Sequence, residues 1–218
     1  MAMKLYDTRR SGNAWKVRLL AGFLGIPLQR ETLSIDRGDL RSPAFLAVAP
    51  MGQVPVLAVD DGTHLGESMA ILYLLAQGSA WWPGDAASQA RVLAWLSFEQ
   101  ERHMKPLAQL RLHLALHRDR DPASEEFVRF AHEARQSLRI LEAQLSRQGA
   151  GGWVATANAP SIADVALYPY TRLAPMGGIE LAAYPAISAW LARIEQLPGY
   201  QPLFPGAPEK NFSTSESA

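Results

Sequence analysis

The chain has 218 residues, 48% of them hydrophobic, which is enough to bury the core of one large domain or two modest ones. Its 21 Lys and Arg residues balance 21 Asp and Glu residues, so no net field attracts nucleic acid or anionic lipid. Cysteine is absent, which excludes disulfides, thiolate metal sites and a cysteine nucleophile. Any thiol chemistry must therefore use a thiol from another molecule.

The sequence contains no targeting or membrane signal that we recognise. Residues 1–7 lack the basic region and the apolar run of a secretion signal. The uncharged stretch Ser68–Gly84 is interrupted by Gly78 and Pro83, so it is a poor candidate for a membrane span. We therefore expect a cytoplasmic protein that binds neither membranes nor nucleic acid.

The first third of the chain alternates between strand-like and helix-like patterns, which indicates an α/β unit rather than a helical bundle. Lys4–Asp7 is a short strand candidate. Trp15, Leu19 and Phe23 then recur at helical spacing behind a Ser-Gly-Asn start signal, and Gly25 ends that helix.

A second strand is predicted over Leu28–Ile35, where apolar and polar residues alternate. The segment Asp36–Pro50 is rich in turn formers and charge, and predicts a loop with a short helical turn. Two antiparallel strands should flank Asp61-Gly62, because an Asp-Gly pair between apolar runs is a strong hairpin signal. A helix follows from Ser68, since the residues after it include no helix breaker before Gly78.

The rest of the chain reads as helices only. Apolar residues at helical spacing predict long helices over Ser88–His117, with a kink at Pro106, and over Ser124–Gln148. Shorter helices are predicted to begin at Ser161 and Pro185. These helices would be half-buried members of a bundle.

Domain boundaries follow from these patterns. Breakers that include Pro83 predict a linker, and the small polar residues at the end of the chain predict a frayed tail. The five His residues are scattered without metal-ligand spacing, so we predict no metal site. The predicted order is an α/β domain, a linker, an all-α domain and a flexible tail, over residues 1–77, 78–86, 87–205 and 206–218.

This organisation resembles the cytosolic glutathione transferase superfamily, and the resemblance covers nearly the whole chain. The order and spacing of four local matches make the resemblance specific. The matching segments are Arg10–Arg18, Gln53–Leu57, Glu67-Ser68 and Ser161–Asp164. The resemblance implies a thioredoxin-like first domain, an all-α helical-bundle second domain, glutathione as co-substrate and a homodimer.

The resemblance also implies which residues bind glutathione. Ser68 begins a helix, where free N–H groups and the macrodipole suit the γ-glutamyl carboxylate, and Glu67 would receive the ammonium group. The family places a cis-proline at the position of Pro55, so that the main chain of Val54 pairs with the cysteinyl unit beside Gln53. A simple helix cap and an edge-strand proline are the structural alternatives.

The loop after the second strand contains two further candidates. Arg41, and with it Arg37, could bind the glycyl carboxylate of glutathione, because guanidinium groups suit carboxylates bidentately. Solvated surface arginines are the alternative interpretation of both residues.

Ser11 lies just before the first helix, where its hydroxyl and the positive helix end could stabilise a thiolate. Catalysis would then be electrostatic and would need no general base. A helix cap is the alternative role of Ser11, and Asn13 is the competing catalytic residue. The segment is similar to serine-type transferases of the zeta and theta kind. Ser11 and Trp15 match the zeta pattern Ser-Ser-Cys-x-Trp, whereas Gly12 and Asn13 depart from it.

An electrophile pocket is expected between the two domains, lined by residues of the first long helix. The candidates are His103, Met104, Leu107 and Arg111, and ordinary core packing is the alternative for all four. The Ser161–Asp164 match is a capping box, whose role is in folding.

These expectations define the predicted function as addition of glutathione thiolate to small hydrophobic electrophiles. A second enzymatic hypothesis is a glutathione-dependent isomerase resembling maleylacetoacetate isomerase, or a dehalogenase. A third hypothesis, from another class, is a non-catalytic adaptor of the stringent starvation protein type, because fold alone does not determine function.

Overall fold

The computed structural model describes residues 3–59 and 61–204. Its sheet has four strands in the order β2-β1-β3-β4. Strand β1 pairs with β2 in parallel and with β3 antiparallel, and β3 pairs antiparallel with β4. The strands are β1 (Met3–Asp7), β2 (Leu28–Thr32), β3 (Val56–Ala58) and β4 (His64–Leu65).

Three helices accompany this sheet, namely α1 (Gly12–Leu24), α2 (Pro43–Val48) and α3 (Ser68–Ala76). The segment predicted as a loop with one helical turn contains both the 3₁₀ turn Asp39–Arg41 and α2. Helix α2 forms because Ser42 caps it, accepting a hydrogen bond from Phe45 N at 3.2 Å, and because Pro43 suits the first helical turn.

The core of this unit lies between the sheet and the pair α1 and α3, which pack against each other. Leu5 and Leu57 come from adjacent strands and are fully buried. Trp15 of α1 and Ile71 of α3 are also fully buried. This packing places the N-terminal ends of α1 and α3 in one compact unit.

The end of β1 is anchored by a buried carboxylate. Asp7 accepts hydrogen bonds from Arg30 Nε at 2.9 Å and from Thr32 Oγ1 at 3.1 Å, both on β2. Arg18 Nε of α1 lies 3.7 Å from the same carboxylate, and burial lowers the pKa of Arg18 to about 10. These contacts hold the turn that leads from β1 into α1.

The described residues divide into two compact units. The first reaches Ser79 and also includes the segment that begins at Leu197, and the second runs from Ala80 to Gln196. The sequence assigned residues 87–205 to the helical domain, so the structure moves the segment from Leu197 into the first unit. The reason is packing on α1, which no local pattern encodes.

The second unit is helical. Its helices are α4 (Ala86–Phe98), α5 (Lys105–Leu110), α6 (Glu125–Gln148), α7 (Ile162–Arg172) and α8 (Pro185–Glu195). The predicted long helix over Ser88–His117 is helical as far as Leu116, but π-helical segments, Glu99–Met104 and Arg111–Leu116, flank α5. Pro106 lies in the first turn of α5, where its missing N–H leaves an i to i−4 bond unmade, and the wider turn before it accommodates that loss.

The capping box predicted at Ser161–Asp164 is present at the start of α7. Asp164 is fully buried, and its carboxylate accepts hydrogen bonds from Ser161 N at 2.9 Å, Val154 N at 2.9 Å and Trp190 Nε1 at 3.0 Å. Burial raises the pKa of Asp164, and these hydrogen bonds oppose the rise. One side chain thereby joins α7, α8 and the loop before α7.

Within the described part of the chain, none of the helices combines the length and the apolar character needed to cross a membrane.

Candidate functional site

A cavity in the first unit brings together most of the residues expected to bind glutathione. Its walls are built by the start of α1, the end of α2 and the loop after it, the segment entering β3, and the β4–α3 junction. The lining residues are Asn13, Val48, Ala49, Pro50, Met51, Gln53, Val54, Pro55, Val56, His64, Gly66, Glu67 and Ser68. Five of the seven residues predicted to contact glutathione therefore share one cavity, together with Asn13.

Glu67 and Ser68 line the cavity together at the β4–α3 junction. Ser68 is the first residue of α3, so its hydroxyl and the free N–H groups of the first helical turn lie close together. The residue is only 5% exposed. Glu67 is exposed and has φ 61 and ψ 114, a disfavoured backbone region for a residue with a side chain. Strained residues of this kind concentrate at functional sites.

Gln53, Val54 and Pro55 form a second part of the cavity wall. The Val54-Pro55 peptide bond is cis, as the resemblance implies. Strand β3 begins only at Val56, so the main-chain groups of Val54 lie outside the strand ladder. Gln53 is exposed beside them.

The two candidates for the thiolate-binding residue have different surroundings. Ser11 is the N-cap of α1, and its Oγ accepts a hydrogen bond from Ala14 N at 3.1 Å. Asn13 lines the cavity, and its Oδ1 is a buried atom with no hydrogen-bond partner among the described residues. Ser11 does not belong to the described lining of the cavity. The geometry thus gives Ser11 a helix-cap role, and it places Asn13, whose side-chain NH2 is the group that could donate to a thiolate, in the lining of the cavity.

The two loop arginines also differ. Arg37 is an exposed residue that forms an ion pair with Asp39 at 3.0 Å. The pKa of Asp39 is lowered first by the hydrogen bond from Ser34 N and then by Arg37. Arg41 is exposed, and its guanidinium lies against Gly52, where an added Cβ would meet Nη1 at 2.7 Å. Arg41 is therefore the arginine nearer to the segment that carries Gln53.

Residues Val48–Met51 and His64 line the cavity but were not predicted from the sequence. His64 pairs with Ala58 across the hairpin, and its ring lies 6.2 Å from that of Tyr6, measured between centroids. Its place in the strand three residues before Glu67 is the signal that could have identified it. Met51 is 60% exposed, an unusual environment for a large apolar side chain.

The residues expected to line an electrophile pocket all belong to the second unit. His103 is fully buried, with its Nδ1 3.1 Å from Ser137 Oγ and its Nε2 2.8 Å from Thr171 Oγ1. Leu107 and Arg111 are also buried, at 2% and 5% exposed, and Met104 is half-buried. A pocket-lining role for these four residues stays a prediction.

Across the described ranges, His, Asp and Glu side chains form no group of three suited to a metal ion. The chemistry that the cavity itself supports is recognition of a small peptide. It offers a helix N-terminus for a carboxylate, a carboxylate for an ammonium group, free main-chain groups and an amide at a second helix N-terminus.

Two family models match the chain. The model described as glutathione S-transferase, N-terminal domain, matches residues 10–77, and the one described as glutathione S-transferase, C-terminal domain, matches residues 108–198. The second match excludes the segment that leads from α3 into α4, and the first match contains the whole cavity.

Individual relatives agree with these models. The chain is 30% identical to a maleylacetoacetate isomerase from Pseudomonas aeruginosa, over 99% of this chain and 100% of that protein. Its fold is similar to the crystal structure of a glutathione S-transferase from Pseudomonas fluorescens, with a TM-score of 0.87 and 37% identity over 93% of this chain and 99% of the other. A glutathione S-transferase from Xanthobacter autotrophicus has a TM-score of 0.86 and 34% identity over 94% and 98% of the two chains.

Proposed function

The chain belongs to the glutathione S-transferase family, and from this premise we propose that it adds the thiolate of glutathione to small hydrophobic electrophiles, with Asn13 holding the thiolate. The observation that carries the proposal is the single cavity lined by Asn13, Gln53, Val54, Glu67 and Ser68. This cavity offers a helix N-terminus for the γ-glutamyl carboxylate, a carboxylate for the ammonium group, main-chain groups for the cysteinyl unit and an amide for the thiol.

Glutathione would lie along this cavity in one direction. Its γ-glutamyl carboxylate meets the N-terminus of α3 at Ser68, and its ammonium group meets Glu67. The main chain of Val54 pairs with the cysteinyl unit, and Arg41 receives the glycyl carboxylate. The cysteinyl sulfur then lies at the N-terminus of α1, beside Asn13.

Asn13 would activate the thiol electrostatically. A free thiol of the cysteine type has a pKa of about 8.5, and a hydrogen bond from the Asn13 amide together with the positive end of α1 stabilises the anion. The lowered pKa supplies thiolate at neutral pH without a general base. The thiolate attacks the electrophile directly and forms a carbon–sulfur bond; with an aryl halide, the carbon–halogen bond breaks and the halide ion leaves with the negative charge, so that a neutral thioether remains.

Isomerisation is the second candidate function, since the similarity to maleylacetoacetate isomerase extends over the full length of that protein. In a glutathione-dependent isomerisation the thiol is returned at the end of the reaction, so it is not consumed. Gly12 and Asn13 depart from the zeta-class pattern, and this departure favours conjugation as the main activity. A protein that kept this fold only as an adaptor would have no use for the polar lining of the cavity.

The experiment that tests the function measures binding and thiol consumption together. We expect retention on immobilised glutathione and a higher melting temperature in millimolar glutathione, because a ligand that binds only the native state stabilises it. With an aryl halide, the amount of free thiol consumed should equal the amount of conjugate formed. With maleylacetoacetate, any turnover would leave the thiol concentration constant. If the protein showed neither retention nor thermal protection, the enzymatic function would be contradicted.

A prediction concerns the residue that holds the sulfur. Asn13→Ala should raise the pKa of the bound thiol by about one unit or more, because a hydrogen bond to a charged group contributes about 1.5–3 kcal/mol. Ser11→Gly should change that pKa much less, since it removes the hydroxyl while costing the helix cap only a few tenths of a kcal/mol. Thiolate absorbance of the glutathione complex against pH measures both. A larger shift in Ser11→Gly than in Asn13→Ala would assign the thiolate to Ser11.

The family resemblance also supports a homodimer as the assembled form. Tyr73 and Leu74 of α3 are 46% and 40% exposed, and Leu93 of α4 is 53% exposed, all unusual for large apolar side chains of a monomer surface. A second copy of the chain is the partner that we propose for these surfaces.

A further inference from the structure

The segment from Leu197 to Phe204, called here the C-terminal strap, belongs to the first unit although it follows the last helix of the second. Leu203 and Phe204 at its end are 2% and 5% exposed. The strap is therefore a packed part of the unit that contains the cavity.

One contact holds the strap to the beginning of α1. The indole N–H of Trp15 donates a hydrogen bond to the main-chain carbonyl of Gln201 at 2.7 Å. Trp15 is fully buried and lies two residues beyond Asn13. A buried indole N–H requires an acceptor, and the strap provides one close to the catalytic end of the helix.

A second contact holds the strap to the far end of α1. A Cβ added to Gly22 would overlap the carbonyl oxygen of Gly199, and a Cβ added to Gly199 would overlap that of Gly22. Gly199 also has φ +85, a conformation that favours glycine. Glycine inside a helix costs roughly 0.5–1 kcal/mol relative to alanine, so Gly22 is explained by the backbone approach that it permits.

Helix α1 is thus fixed at two separated points of its length. It has 13 residues and spans about 20 Å. A helix held only by its buried side chains can shift along its axis and tilt slightly, whereas the contacts at Trp15 and Gly22 restrict both movements of α1. The groups that α3 and Val54 offer to the ligand lie on other segments of the chain than α1.

We propose that the C-terminal strap positions the N-terminal end of α1 for thiolate stabilisation, so that Trp15, Gly22 and Gly199 are positioning residues for the reaction. The inference rests on the proposed function of Asn13 and of the α1 N-terminus. It separates two parts of the ligand, since the strap acts on the sulfur and leaves the γ-glutamyl end to α3.

The principal test is Gly22→Ala in the full-length enzyme. In an isolated helix this change is favourable, so any loss reports the strap contact. We expect a higher pKa of the bound thiol and a roughly tenfold lower kcat at pH 6.5, since a misplacement of about 1 Å can cost up to about 100-fold. The Kd of S-methylglutathione, which lacks a thiol, should change less than about twofold, because the contacts at α3 and Val54 are kept. Trp15→Phe should give the same pattern.

Gly25→Ala is the matched control, because Gly25 ends the same helix with φ +65 and nothing lies within 4 Å of an added Cβ. It should lower the melting temperature without changing the pKa of the bound thiol. Equal pKa shifts in Gly22→Ala and Gly25→Ala, or a wild-type pKa in Gly22→Ala and Trp15→Phe, would overturn the positioning role alone. A wild-type enzyme that forms no bound thiolate would overturn the proposed function and this inference together.

Discussion

Replacing Glu67 with glycine is expected to weaken glutathione binding about tenfold or more, while the folded protein keeps or gains stability. The carboxylate of Glu67 is the group proposed to pair with the ligand's ammonium, and a hydrogen bond between charged groups contributes about 1.5–3 kcal/mol. Glu67 is exposed, so the lower end of that range applies. Isothermal titration with glutathione measures the loss.

The expected stability of Glu67→Gly follows from the backbone. Glu67 has φ 61 and ψ 114, and a residue held in such a region costs about 1–3 kcal/mol. Glycine removes this strain, although its greater freedom in the unfolded chain offsets about 0.5–1 kcal/mol. The free energy of unfolding in urea should therefore stay constant or rise slightly. The proposed contact with the ligand would explain why a glutamate occurs in this strained conformation.

Two controls separate charge from backbone conformation. Glu67→Gln keeps the side-chain size and the strain but removes the charge, so it should weaken binding without any gain in stability. Arg118→Gly relieves the other non-glycine residue with positive φ in the described chain, at φ 55 in the second unit. It should raise stability and leave glutathione affinity unchanged. Wild-type affinity in Glu67→Gly would exclude the proposed ammonium contact.

Replacing Asp164 with alanine is expected to lower the free energy of unfolding by at least about 3 kcal/mol, since each buried donor left unsatisfied costs about 1–3 kcal/mol. The donors affected are the N–H groups of Ser161 and Val154 and the indole N–H of Trp190. They lie on three separate parts of the second unit, so the loss should reduce the cooperativity of that unit as well. Urea unfolding monitored by circular dichroism measures both the free energy of unfolding and its cooperativity.

Asp85→Ala is the matched control, because Asp85 also caps a helix, accepting from Ser88 N at 2.8 Å, but is exposed. Its loss should cost about 1 kcal/mol, the usual value for an exposed helix cap. Asp164→Asn keeps one acceptor oxygen, so its loss in free energy of unfolding should fall between those of Asp85→Ala and Asp164→Ala. It provides a folded variant if Asp164→Ala does not accumulate. Equal losses in free energy of unfolding for Asp85→Ala and Asp164→Ala would show that burial of the hydrogen bonds to Asp164 adds nothing to stability.

Much of the fold was predictable because its signals are local. The hairpin around Asp61-Gly62, the cap of α1 at Ser11 and the capping box at Ser161 each depend on residues a few positions apart. The segment Asp36–Pro50 was harder, since its two helical turns are short and their stability comes from Phe45 packing in the core rather than from propensity.

Parts of the site were predictable for the same reason. Glu67 and Ser68 lie at the point where a hairpin leads directly into a helix, so their place side by side in the cavity wall could be predicted from order and spacing. His64 and Met51 were missed because each reaches the cavity from a separate segment, and neither has a spacing signal of its own. The choice between Ser11 and Asn13 also needed the three-dimensional cavity.

The sequence by itself determined that this chain has an α/β unit followed by helices and that it has no thiol of its own, and its resemblance to the glutathione transferases predicted glutathione-binding roles for the Glu67-Ser68 and Val54-Pro55 segments. Only the tertiary structure decided that Asn13 lines the cavity with these segments and that the chain returns from Leu197 to pack on α1. The physical reason is the range of the interactions. Caps, turns and periodic patterns arise between near neighbours, whereas the approach of Gly22 and Gly199 joins backbones that are 177 residues apart and depends on the packing of the whole unit.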